Sequence, residues 1–109
     1  MRNLLFIILL VGFNELFAQS NFTKSSFEVS GNCKMCKKTI EKSLQIKGVH
    51  FANWDVDSHL LELEYDSTLI TLDQIQLRIA ASGYDTPSYR ANDEKYNSLH
   101  RCCRYERKK

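Results

Sequence analysis

Gly31-Asn32-Cys33-Lys34-Met35-Cys36-Lys37-Lys38 stands between two runs of different period. Before it, Phe27-Glu28-Val29 alternates apolar and polar, the pattern of a half-buried strand. After it, the run through Thr39-Ile40-Glu41-Lys42-Ser43-Leu44 keeps Cys36, Ile40 and Leu44 four apart on one face, the pattern of an amphipathic helix. The two cysteines therefore occupy a strand-to-helix turn. Unpaired backbone N–H groups and the positive end of the helix dipole favour thiolate over thiol there. Thiolate is the form that binds metal or attacks a disulfide, so the stretch reads as a reactive sulfur pair.

Outward from that turn the periods order the rest of the chain. Residues 22–29 are predicted as a first strand and residues 35–46 as a helix, which Lys47-Gly48 ends. Residues 49–56 read as a second strand, with Ala52, Trp54 and Val56 on one face, and Asp57-Ser58-His59 supply turn chemistry. The third strand, 60–65, alternates most clearly, Leu61, Leu63 and Tyr65 against Glu62 and Glu64. Thr71-Leu72-Asp73-Gln74 has capping-box form and opens a helix over 72–82, with Leu72, Ile75, Ile79 and Ser82 towards the core. Gly83 stops it, and 84–89 is predicted as a short last strand limited by Pro87, the only proline. The order β-α-β-β-α-β predicts an α+β ferredoxin-like sandwich: a four-stranded antiparallel sheet with two helices on one face.

The two ends differ from this middle. Arg2 precedes an apolar run, Leu4 to Val11, that is too short to span a bilayer and closes on Leu16-Phe17-Ala18. That is the pattern of a secretory signal peptide over residues 1–18, cleaved after Ala18, and it predicts an exported, periplasmic protein. The alternative, an uncleaved membrane anchor, is opposed by Asn14 and Glu15 inside the segment. Residues 19–89 then suffice for one small domain with one core. Residues 90–109 remain as a polar, basic tail without sustained period, with Tyr96, Leu99 and Tyr105 as anchors to the domain. From residue 100 onward five Lys and Arg stand against Glu106 alone. An exported chain rarely meets nucleic acid, so a solvated tail or a membrane-surface contact is the plainer reading of that charge.

Four cysteines form two tight pairs, Cys33 with Cys36 and Cys102 with Cys103, at opposite ends of the domain. Structural disulfide frameworks scatter their cysteines, so the spacing favours chemistry over stapling. No nucleophile motif surrounds the Ser, His and Asp residues and no Gly-rich phosphate loop occurs, so no enzyme is predicted.

A βαββαβ domain with Cys-x-x-Cys in its first loop resembles the heavy-metal-associated domain family. Matching positions include Gly31, Cys33 and Cys36, Gly48-Val49, Ala52, Trp54, Leu61, Leu63, Tyr65, Asp66, Ile75, Ile79 and Gly83-Tyr84-Asp85. That family includes copper chaperones, the metal-binding modules of copper-exporting ATPases and a periplasmic mercury-binding protein. The usual loop reads Gly-Met-x-Cys-x-x-Cys, with the Met in the core; here no Met precedes the pair and Met35 lies between the cysteines.

The resemblance implies a soft-metal carrier in which Cys33 and Cys36 hold the ion and exchange it, thiolate for thiolate, with a metal-trafficking protein or a membrane exporter. Two thiolates suit Cu(I), the same pair would take Hg(II), and Zn(II) would need further ligands. Lys34, Lys37 and Lys38 would offset the anionic complex and dock an acidic partner. The carrier would be a monomer or a metal-bridged dimer. Tyr84 is expected near the metal loop, whereas His50 and His59 are expected to face solvent. His100, Cys102 and Cys103 are a candidate second site; the two tail cysteines could equally join Cys33 and Cys36 as a four-cysteine zinc site or as disulfides. A thiol-disulfide protein is the rival function. Thioredoxin-like enzymes, however, carry a Pro between their cysteines and a cis-Pro opposite, which Lys34-Met35 and the single Pro87 do not supply.

Overall fold

The computed structural model describes residues 22–108, so the predicted leader lies outside the described residues. Strands β1 (Phe22–Glu28), β2 (Val49–Trp54) and β3 (Leu60–Asp66) and helices α1 (Lys34–Ser43) and α2 (Leu72–Ala81) follow in the order β1-α1-β2-β3-α2. A short helix α3 (Asp93–Asn97) and a 3-10 turn (Arg101–Cys103) follow. Among these residues no helix is long and apolar enough to cross a membrane.

The sheet runs β1-β3-β2, with β3 antiparallel to both neighbours. Phe27 of β1 and Trp54 of β2 both stand opposite Leu61, which centres the sheet on β3. Leu61, Leu63 and Tyr65 are buried while Leu60 and Glu62 are exposed, so a single face is covered. Cys36 and Ile40 of α1 and Ile75 and Ile79 of α2 join those residues in one core cluster, which puts both helices on that face. Periods of two and of 3.6, each with its apolar side inward, account for the arrangement.

Local chemistry sets the boundaries. At the start of α2 the Thr71 hydroxyl accepts from the Gln74 N–H at 3.1 Å and the Gln74 side chain accepts from the Thr71 N–H at 2.9 Å. Its end is a Schellman motif: the Gly83 N–H reaches Ala80 O at 3.0 Å and the Tyr84 N–H reaches Ile79 O at 3.4 Å. Gly83 has φ +107, and a Cβ there would also stand 2.8 Å from Leu99 Cδ2, so the same glycine ends the helix and admits the tail. The first helix stops at Ser43, short of the predicted 46, because Leu44 and Gln45 donate to carbonyls only three residues back.

The predicted fourth strand is not formed. Residues 84–89 are turn and irregular backbone, and the sheet has three strands. Their donors go elsewhere: Asp85 N–H to the Tyr105 hydroxyl at 2.9 Å, Ser88 N–H to Gln76 Oε1 at 2.9 Å, Tyr89 N–H to Thr86 Oγ1 at 3.2 Å. The Thr86 N–H closes a turn on Tyr89 O at 2.8 Å around Pro87, which has no donor. The surviving link to the end of β1 is the Ser30 N–H to Asp85 O bond at 3.1 Å.

The tail is built into the domain. Tyr105 is buried, donates its hydroxyl proton to Gly83 O at 2.9 Å, and stacks near Tyr84 with ring centroids 6.1 Å apart. Tyr96 meets Tyr105 edge-on and bonds its carbonyl, while Leu99 packs against the core. All three predicted anchors thus engage. Arg107 adds a fourth: it grips Asp85 with two nitrogens at 2.7 and 3.1 Å, reaches Asp93 at 2.9 Å, and lies over the Tyr96 ring. The expectation of a tail without period is corrected over its last part. Cys103, Tyr105 and Arg107 point inward and Arg104, Glu106 and Lys108 are exposed, which is a period of two.

Candidate metal centre

Cys33 is the N-cap of α1 and Cys36 lies one turn in, so the helix itself sets their spacing. The Asn32 and Cys33 N–H groups both point at Cys36 Sγ, at 3.4 Å each, and the two sulfurs are 3.4 Å apart. Cys36 is fully buried and Cys33 half-buried. Behind the loop stands Trp54, whose indole N–H donates to Val29 O at 2.9 Å. A Cβ on Gly31 would meet the Trp54 ring at 2.9 Å, so glycine is what lets the loop lie against it. With no Met before the cysteines, Trp54 supplies the loop's core support.

The tail brings further sulfur. Cys102 Sγ lies 2.9 Å and Cys103 Sγ 3.6 Å from Cys33 Sγ. Among the described residues, the potential ligands that converge within 4.8 Å of one another are Cys33, Cys36 and Cys103. Cys102 stays exposed at the rim, 4.0 Å from Cys103, and all four cysteines are free thiols. The candidate second site of His100, Cys102 and Cys103 is not assembled: His100 is exposed and outside the converging group, and Cys103 joins the loop pair instead. The turn over Arg101–Cys103 is the reason, since it aims adjacent side chains apart, one into the core and one to solvent.

Charge is unevenly shared among these sulfurs. Burial opposes ionisation of Cys33, but hydrogen bonds from the Cys102 thiol, the Cys36 N–H and the Cys36 and Cys103 thiols bring its pKa down to about 6. Cys102 is pushed up chiefly because its thiol donates to Cys33, and Cys103 is pushed up by burial and by bonding to Cys36. Tyr84 is buried beside Cys103, and burial together with that thiol raises its hydroxyl's pKa as well. Three soft sulfur donors beside a helix N-terminus fit a soft metal ion.

The other predicted residues fall as follows. Met35 is 43% exposed and lines an open groove beside the site with Lys34, Lys38 and Val56. Lys37 is not free for a partner: its ammonium bonds Glu41 at 2.6 Å, Asn53 at 2.9 Å and Trp54 O at 2.8 Å, tying α1 to β2. His50 stacks on Phe22 and His59 on Trp54. The Arg107–Asp85 clamp escaped the sequence reading, although the alternation of residues 103–108 was a usable sign of it.

The heavy-metal-associated domain family matches residues 26–85. No curated protein matches the chain. Among solved structures, a putative copper-ion-binding protein from Bacillus anthracis str. Ames is similar at 30% identity, over 62% of this chain and 99% of that one, with a TM-score of 0.58. The N-terminal domain of a potential copper-translocating P-type ATPase from Bacillus subtilis, solved in the Cu(I)-loaded state, is 25% identical over 60% and 84%, TM-score 0.57. A CopZ metallochaperone is 27% identical over 59% and 98%, TM-score 0.56. The family match stops at Asp85, so the tail that delivers Cys103 lies beyond it. With that match spanning more than half of its length, and with the paired helices and cysteine loop in place, the chain belongs to the heavy-metal-associated domain family.

Proposed function

We propose that the protein is an exported carrier of soft metal, holding Cu(I) on Cys33 and Cys36. The observation that carries this is the pair of sulfurs 3.4 Å apart at the N-terminus of α1. The neighbouring N–H groups and helix dipole offset the negative charge of a thiolate complex. Solved relatives described as copper-ion-binding, Cu(I)-loaded and metallochaperone support copper as the cargo. Hg(II) suits the same sulfurs, whereas Zn(II) prefers four ligands. Export to the periplasm is the reading that the signal-peptide pattern of residues 1–18 supports.

Transfer would proceed by ligand exchange. A thiolate of a metal-trafficking protein or membrane exporter forms a bond to the ion while a bond to one of the two cysteines breaks. The freed cysteine takes a proton from solvent, and the copper stays Cu(I) throughout. Exposed Lys34 and Lys38 beside the loop suit an acidic partner. The carrier is a monomer or a dimer bridged by the ion.

The test is a competition titration of the reduced protein with Cu(I), Zn(II) and Hg(II), beside a Cys33→Ser/Cys36→Ser variant. Tight Cu(I) binding should disappear in the variant; native affinity there would sink the reading. One observation favours thiol-disulfide exchange as a second reading, the 2.9 Å contact between Cys33 and exposed Cys102. A reduction potential in the range of thiol oxidants, with weak metal binding, would select it.

A further inference from the structure

We propose that Cys103, delivered by the C-terminal tail, is a third thiolate for the ion on Cys33 and Cys36, so that the chain closes over its own cargo. The inference rests on the reading of Cys33 and Cys36 as the metal loop and adds a ligand from outside the family-matched residues.

Sulfur geometry points this way. With a metal–sulfur bond of about 2.3 Å, two sulfurs facing each other across a linear ion stand about 4.6 Å apart, and three around a trigonal ion about 4.0 Å. Cys33 lies 3.4 Å from Cys36 and 3.6 Å from Cys103, distances that call for small outward shifts to the trigonal arrangement and larger ones to the linear. Cys102 lies 2.9 Å from Cys33 and 4.0 Å from Cys103 but falls outside the group whose sulfurs all lie within 4.8 Å of one another, so a four-sulfur tetrahedron is not set up.

Burial points the same way. Cys36 is 0% and Cys103 1% exposed, so an ion between them meets solvent only on the Cys33 side. The tail needs no metal to be there: Tyr105 spans Gly83 and Asp85, and Arg107 holds Asp85. A ligand already in place binds without the cost of ordering a loose segment.

Loading one Cu(I) displaces into solvent the protons that the three sulfurs still carry and moves no electrons, leaving a complex of charge −2 at the α1 N-terminus. Release runs through the tail. An incoming thiolate forms its bond to copper as the Cys103 bond breaks, and Cys103 then takes a proton from solvent. The tail is thus a built-in competitor for the partner's sulfur, and the chain retains copper where an open two-sulfur loop would yield it.

X-ray absorption at the copper edge counts the ligands directly. The reduced native protein, loaded with one equivalent of Cu(I), should show three sulfur neighbours, and Cys103→Ser should show two. In competition with a Cu(I) chelator, Cys103→Ser should bind at least about tenfold more weakly, while Cys102→Ser stays within about twofold of native. Two sulfurs in the native protein, or native affinity in Cys103→Ser, overturns the proposal. The ligand count in the native protein decides the matter even if that variant fails to fold. Loss of binding in Cys33→Ser/Cys36→Ser together with a two-sulfur native site would defeat the third ligand alone. Retained binding in that double variant would defeat the carrier reading as well.

Discussion

Cys33 and Cys36 are three residues apart in one helical turn, and Cys102 and Cys103 are neighbours in a tail that begins after the family-matched residues end. The first pair is placed by bonds spanning three or four residues, from backbone N–H groups to Cys36 Sγ. The second pair is divided by its own turn, and Cys103 reaches the loop only because Tyr105 and Arg107 fasten the chain beyond it. A pair inside one element keeps its geometry wherever that element forms. A pair assembled across 70 residues depends on every contact that docks the tail.

That contrast can be tested by removing its supports. Trp54→Ala should strike both regions, since the indole backs Gly31 and Cys36 and is itself fully buried. A cost of about 3–5 kcal/mol in urea unfolding is expected, from lost burial and the cavity left behind. A loss below about 1 kcal/mol would mean that the loop stands by local bonding alone.

Tyr105→Phe separates the regions. It keeps the ring but removes the hydroxyl that accepts from Asp85 N–H and donates to Gly83 O. About 1–2 kcal/mol should be lost, because a buried carbonyl and a part-buried N–H lose a partner. Mass spectrometry should find Cys103 alkylated faster while Cys36 keeps its protection. Equal acceleration at both cysteines would show that the tail and the loop open as one unit.

The smallest expected effect is that of acid on the tail clamp. Burial works against the charge on Asp85, but Arg107 and the Ala91 N–H outweigh it and hold its carboxyl below the ordinary range. Its folded pKa thus lies under its unfolded one. The stabilisation is complete above the usual carboxylate value of about 4 and is lost as pH falls through the depressed value. The gap in unfolding midpoint between native protein and Asp85→Asn should be constant near neutrality and shrink at acid pH. A gap unchanged down to pH about 2 would exclude a role for this ionisation.

Much of this architecture was legible beforehand because it follows from local period. Cys36 and Ile40 on α1, Leu61, Leu63 and Tyr65 on β3, and Ile75 and Ile79 on α2 are buried where their spacing placed them. Thr71 and Gln74 cap as their types dictate. Residues 84–89 misled, since a strand exists only if a neighbour accepts its ladder, and the Tyr105, Gln76 and Thr86 side chains took those donors first. Lys37 looked like part of a solvated collar until Glu41, Asn53 and Trp54 O surrounded it. Arg107 carries charge at an inward position, and it reads as surface until Asp85 meets it.

The sequence by itself determined the helical and strand periods, the caps, and the presence of two cysteines within one turn of a helix N-terminus, because each depends on residues within a few positions of one another. Tertiary structure alone decided that the sheet stops at three strands and that Cys103, not His100 or Cys102, completes the sulfur cluster. Those outcomes hang on contacts across 20 to 70 residues, from Tyr105 to Asp85 and from Cys103 to Cys33, and a local period does not say which distant residue an inward side chain meets.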